Sequence, residues 1–162
     1  MREIQLTRGQ VAVVDDEYFE ILNQHKWHAR KGRGDNYYAV RADYSTGKHV
    51  QIQMHREVFG GLLKTDIIDH IDGCGLNNLR TNLRKCTIAQ NAHNMRPRLN
   101  MTSIYKGVSK YRNGWYVAIS HFGKREFLGM YASEIEAAKA YDAAAMRLHG
   151  DFARLNFPSL CH

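Results

Sequence analysis

A histidine, His70, stands among carboxylates and carboxamides in the stretch "DHIDGCGLNNLRTNLRKCTIAQNAHN", residues 69–94. A neutral imidazole can take a proton from water near neutral pH. Carboxylate and carboxamide oxygens are hard donors suited to magnesium or manganese rather than zinc. An asparagine that reacts with nothing can still hold a loop by bonding backbone on both sides of it. The chemistry open to such a set is hydrolysis beside a divalent ion. Asp69 and His70 are neighbours, and neighbours on a strand face opposite ways. Both reach one site only if the strand twists or ends there, and Asp72-Gly73 supplies the turn that allows it.

The elements that must position these groups can be read on either side. Ile67-Ile68 leads as a strand into Asp69-His70, "LRKCT" at 83–87 returns as a second strand, and Thr87 with Gln90 forms a capping box for a helix carrying Asn91. The unit is strand, loop, strand, helix, and it brings Asp69, His70 and Asn91 within reach of one another. Taken singly, each of these residues is more often a loop or turn residue. The ordered set carries the signal.

"DHIDG…NNLRTNLR…QNAHN" resembles the HNH nuclease motif, the ββα-metal unit, in the variant found in phage and intron-encoded homing endonucleases. The resemblance implies a metal-dependent, site-specific endonuclease. His70 takes the place of the general base, Asp69 that of the carboxylate ligand, Asn82 that of the brace, and Asn91 that of the final ligand. Many relatives have histidine at that last position, so this chain reads H-N-N. His93 is the runner-up ligand, but it lies roughly 200° around the helix from Asn91 and the two cannot share a site. The cofactor expected is one magnesium or manganese ion. His55 and Arg56, in "MHREVF", resemble the His-Arg pair that precedes the motif, as phosphate contacts or packing.

The flanks have their own patterns. Residues 1–60 alternate strand signals ("VAVV", "KWHAR", "NYYAVRADY", "HVQIQMH") with turns, and Asp15 can cap a helix through "DEYFEILNQH". Val50, Ile52 and Met54 would share the buried face of the last strand. This region resembles the stretch preceding the motif in phage HNH endonucleases, a scaffold with Trp27, Tyr37 and Tyr38 packed inside and Lys26, Arg30, Lys31, Arg33 and Arg41 available to DNA. Residues 61–95 are the nuclease unit, and 96–102 read as a basic linker containing Arg96 and Arg98. Beyond it come three short strands near 104–110, 115–121 and 124–130. A helix follows, started by a Ser133/Glu136 capping box and stopped at Gly150, with Ala138, Tyr141, Ala145 and Leu148 on one apolar stripe.

Residues 103–158, with "KGV", "LG", "EAAKAYDAAA" and "LNFP", resemble the DNA-binding domain of plant ethylene-response factors of the Apetala type. That resemblance implies a sheet laid in the major groove. The candidates for contact are Lys106, Ser109, Lys110, Tyr111, Arg112, Trp115, His121, Lys124, Arg125 and Phe127. Tyr116 and Tyr131 read as packing residues. His121 and His149, on a strand and at a helix end, are not expected to converge.

Composition agrees with these readings and narrows them. The chain has 162 residues, 23 Lys+Arg against 16 Asp+Glu, and a formal net charge of +7. Most of the excess falls after residue 60, which suits a polyanion partner, here double-stranded DNA. No apolar run reaches membrane-spanning length and the N-terminus lacks a signal-peptide core, so the cytoplasm of a bacterial host is the expected location. Three cysteines, Cys74, Cys86 and Cys161, suggest free thiols. A monomer is expected, with a dimer as the alternative. The fold class expected is α+β: an N-terminal antiparallel sheet, a ββα unit, and a C-terminal three-stranded sheet under one helix. A DNA-binding regulator with a silent nuclease-like centre is the second reading of function.

Overall fold

The structure, a computed structural model, describes residues 1–32, 34–45, 47–95 and 101–158. The expectations placed on Arg33, Arg96, Arg98 and Cys161 fall outside them. The chain is α+β, as expected, and divides into two compact units, Met1–Thr87 and Ile88–His162.

In the first unit β1 (Arg2–Gln5) pairs antiparallel with β2 (Val11–Val14), and α1 (Asp16–Leu22) follows. A three-stranded antiparallel sheet comes next, β3 (His28–Lys31), β4 (Tyr37–Asp43) and β5 (Val50–Gln53), with β4 in the middle. Then come α2 (Met54–Phe59) and the hairpin of β6 (Ile67–His70) with β7 (Leu83–Cys86). Nothing in the sequence patterning announces β1, because "REIQ" offers only one apolar residue, Ile4, to the interior. The strand expected through 49–55 stops at Gln53. Met54 opens α2 fully buried while Val50 is 46% exposed, so the supposed shared face does not exist. Ile4, Val14, Trp27 and Met54 pack in one cluster with Ile68 and Leu83 of the hairpin. The N-terminal strands and the hairpin thus share a core, which is why so short a hairpin can hold its shape.

Asp15 is the N-cap of α1, yet its side chain makes no cap bond. Its Oδ2 instead accepts the Arg80 N–H at 2.7 Å. Beside that contact, Val13 forms a parallel bridge with Asn77: Val13 N–H donates to Leu76 O at 2.9 Å and Asn78 N–H to Val13 O at 2.8 Å. The loop between β6 and β7 is therefore fastened to β2.

The second unit begins with α3 (Ile88–Asn94). It continues as β8 (Val108–Tyr111), β9 (Gly114–His121) and β10 (Lys124–Tyr131), an antiparallel sheet with β9 central, and α4 (Glu134–His149). Ala137, Ala138, Tyr141, Ala144 and Ala145 bury against Val108, Val117 and Ile119. Small side chains let helix and sheet approach closely. At Gly107, φ is +78° and a Cβ would meet the Tyr141 ring at 1.9 Å. Ser133 is the N-cap of α4, but the expected capping box is not made. Ser103 Oγ donates to Glu134 Oε1 at 2.8 Å and accepts from Tyr105 N–H at 3.0 Å, tying the segment before β8 to the first turn of α4. Neither Cys74 nor Cys86 is in a disulfide.

Candidate active site

β6 delivers Asp69 and His70 at its end, and the chain then leaves through a turn closed by Gly73 N–H to His70 O at 2.8 Å. Both side chains are buried, at 6% and 5% exposure. Asp69 lies directly across the ladder from Arg84, whose Nε and Nη2 donate to its Oδ2 at 3.1 and 2.8 Å. His70 meets different neighbours: Asn78 Oδ1 at 3.3 Å from Nε2, the Tyr38 ring at 5.9 Å and the His55 ring at 5.0 Å between centroids. Asn78 is fully buried and its amide nitrogen donates to Leu76 O at 3.1 Å. That bond turns the amide oxygen toward His70, so Nε2 carries the proton of the neutral ring and Nδ1 the basic lone pair.

Burial lowers the His70 pKa below its ordinary value of 6.5; the Asn78 bond and the charges of Asp72 and Asp69 oppose this without cancelling it. His55 is pushed down to about 3, first by burial and then by His70, Arg56 and Arg30. Both rings are therefore neutral near pH 7. The Nδ1 of His55 is buried with no hydrogen-bond partner.

Asn82 fastens the loop. Its Oδ1 accepts Asp72 N–H at 3.1 Å, and its Nδ2 donates to Asp72 Oδ1 at 3.0 Å and Asn77 O at 2.8 Å. Asn36 holds the same loop from β4's side, accepting Gly75 N–H at 3.0 Å and donating to Gly73 O at 3.3 Å. Gly75 is required there: a Cβ would lie 2.4 Å from Tyr37 O and 2.6 Å from the Tyr38 ring. Arg56 points its guanidinium at the backbone, to Asp66 O at 2.6 Å and Leu63 O at 2.8 Å, and so shapes the turn that enters β6. Arg41, on the scaffold, pairs with Glu57.

Asn91 belongs to α3 in the second unit. There Lys106 donates from Nζ to the carbonyls of His93 and Met95, the latter at 2.7 Å, neutralising the end of α3. Burial lowers its pKa to about 8. On the sheet, residues paired across strands share a face. Val117 and Ile119 lie under α4, and Trp115 and Tyr131 pack with them. The opposite face carries Ser109, Tyr116 and Met130 in one row, then Phe127 and Arg125. The Arg125 guanidinium lies 5.5 Å from the Tyr116 ring, which stacks on Phe127 at 4.9 Å. Tyr111, Arg112 and Lys124 are exposed nearby, and the Lys110 ammonium lies 4.5 Å over Trp115. Tyr116, read as packing from the sequence, thus holds the open face, while Trp115 packs on the helix side. His121 turns toward α4, with His149 and His93 around it.

No family model matches the chain. It is 32% identical over 155 residues to an uncharacterised HNH endonuclease of Acanthamoeba polyphaga mimivirus, a match covering 92% of this chain and 76% of that protein. The chain belongs to the HNH endonuclease family. Plant proteins match a shorter stretch of it. Dehydration-responsive element-binding protein 2E of Arabidopsis thaliana is 43% identical over 65 residues, 33% of this chain and 27% of its own length. An ethylene-responsive transcription factor of the same plant is 42% identical over 62 residues, 36% of this chain and 32% of its own length.

Sequence reasoning about this HNH endonuclease misses Asn78; it offers Tyr38 as packing and His55 as packing or a phosphate contact, but places neither beside His70. Asn78 sits beside Asn77 in a run of asparagines, and nothing local says which of the two is buried. The meeting of His121 with His149, contrary to expectation, has a legible signal. His121 follows Val117 and Ile119 at period two, and His149 follows Ala145 by one helical turn, so both continue the faces that pack together.

Proposed function

We propose that this HNH endonuclease cleaves double-stranded DNA at a specific site by metal-assisted phosphodiester hydrolysis. The observation that carries the reading is His70: a buried, neutral imidazole at a strand end, oriented through Nε2 by Asn78 and placed next to the Asp69 carboxylate. His70 Nδ1 takes the proton of the attacking water. Asn82 does no chemistry, and holds the turn that fixes the ring.

The donors suit a hard cation. Asp69 offers a carboxylate at the strand end, a donor suited to magnesium or manganese. A bound ion would stabilise charge developing on the scissile phosphate and the leaving oxygen. Recognition is assigned to the second unit, whose open sheet face presents Arg125, Phe127, Tyr111 and Tyr116, with Lys110, Arg112 and Lys124 at its edges for phosphates. The names of the plant relatives, element-binding proteins and transcription factors, support that assignment. The protein is proposed to act as a monomer.

A second reading, a DNA-binding regulator with a silent centre, draws on the Asp69–Arg84 ion pair, which engages Oδ2 of the carboxylate proposed to hold the metal. Supercoiled plasmid incubated with the purified protein and magnesium, then resolved on agarose, separates the two. Nicked or linear product that disappears in His70→Ala supports the nuclease. Unchanged plasmid bound by the protein supports the regulator.

A further inference from the structure

His93 on α3, His121 at the end of β9 and His149 at the end of α4 come together in the second unit, with one nitrogen from each ring lying within 4.8 Å of the others. These residues come from three separate segments, and no part of the nuclease reading uses the cluster. His93 and His149 stack at 3.6 Å with their planes 7° apart, and His121 lies 5.6 Å from His149. The His149 Nε2 faces Ser120 O at 3.1 Å, so Nε2–H donates and Nδ1 carries the lone pair. The Nδ1 atoms of His121 and His149 are both buried and have no hydrogen-bond partner. A buried lone pair without a donor is costly. A cation shared by the cluster would relieve the His149 lone pair, and the His121 Nδ1, likewise buried and unpartnered, is open to ligation in its lone-pair tautomer.

We propose that His93, His121 and His149 bind one borderline divalent transition-metal ion, zinc being the cation best suited to three neutral imidazoles. Zinc takes nitrogen ligands at about 2.0–2.1 Å in tetrahedral geometry, and the fourth position is left to water. Hard magnesium prefers oxygen and would not compete well here. A metal lies near the plane of each imidazole that binds it, so His93 tilts out of its stack on His149 when the ion enters. That movement is a side-chain rotation, which brings together ring nitrogens that already lie within 4.8 Å of one another. The ion would clip the end of α3, the helix carrying Asn91, to the sheet and to α4, adding a covalent-like tie where Lys106 supplies an electrostatic one.

The test uses the full chain, metal-stripped, with Zn2+ as the probe and competition against a chromophoric chelator as the readout. The expected result is one tight equivalent of zinc in the wild type and in Asp69→Asn. His121→Gln and His149→Gln should each lower the affinity of that equivalent by more than about 100-fold, beyond what removal of an outer hydrogen-bond partner gives. Far-UV circular dichroism checks that each variant is folded. For any that is not, histidine ring spectra of 15N-labelled wild type take its place, with zinc-dependent shifts expected at His93, His121 and His149. The proposal is overturned if both variants keep the equivalent, if Asp69→Asn loses it, or if the shifts fall only on His55 and His70.

Discussion

His70 and His55 stand with their rings 5.0 Å apart, both nearly sealed from solvent, and burial holds each below the ordinary histidine range. Replacing His70 by alanine should cut the cleavage rate by ~100- to 10,000-fold, the usual worth of a positioned base, while DNA binding by gel shift stays near wild type. Because the pKa of His70 is lowered, the rate should rise with pH through a midpoint below 6.5, measured under conditions where chemistry limits. A midpoint above about 7 would assign the titration to another group. Stability shows the same burial. The folded pKa of His55, about 3, is below the unfolded value near 6.5, so the unfolded chain takes up the proton first. This stabilisation is complete above pH 6.5 and is lost as pH falls toward 3, at up to about 1.4 kcal/mol per pH unit. His55→Phe should flatten that fall in a urea-melt series from about pH 7 to about pH 4. The order of Asp69, His70 and Asn82 is legible because types and spacing along one hairpin carry it. The ring's surroundings are not, since Tyr38, His55 and Asn78 arrive by packing of β4, α2 and a loop whose burial no local pattern sets.

The elements themselves are mostly readable where a period runs long enough. β9 and α4, with alternating and 3.6-residue apolar patterns, fall close to where the sequence puts them. The failures are local. A four-residue strand with one inward apolar side chain, β1, carries too little signal, and Met54 satisfies a strand's alternation and a helix's first turn equally well. Caps fail for another reason: Asp15 and Ser133 have the right chemistry at the right place, but neither side chain makes a cap bond. Ser133→Ala should therefore cost less than the ~1 kcal/mol typical of a capping serine. Ser103→Ala, which breaks two bonds of a residue only 6% exposed, should cost roughly 1–3 kcal/mol. Denaturant midpoints of the two variants decide between them. Gly107→Ala should be worse than either, since it forces a left-handed backbone and drives a methyl into Tyr141.

For the molecule as a whole, charge and division into units bear on how DNA is held. The net charge of +7 is weighted away from the N-terminal scaffold, where Arg41 pairs with Glu57 and Arg56 serves backbone carbonyls. Removing residues 102–162 should weaken binding and flatten its salt dependence, by about 0.9 log units per log unit of salt for each phosphate that the shortened protein no longer neutralises. It should also loosen α3, because Lys106 leaves with the deleted segment. Fluorescence anisotropy across a salt series, on a mapped site and a scrambled duplex, measures both affinity and preference. A truncated protein with the full-length target-to-scrambled ratio would move recognition into residues 1–101. The fastening of the nuclease loop to β2 has a temporal side as well. Asp15 and Arg80 are 65 positions apart, and the Val13–Asn77 bridge spans a similar loop, so these contacts bear a chain-closure cost that the β6–β7 hairpin alone does not. On the ribosome the N-terminal hairpin is made first and waits for its partner. The catalytic loop is accordingly among the last parts of its unit to be set. Hydrogen exchange should then show the amides of Val13, Asn78 and Arg80, which bond between β2 and the loop or to Asp15, becoming protected together, late in refolding, after the amides that pair β1 with β2.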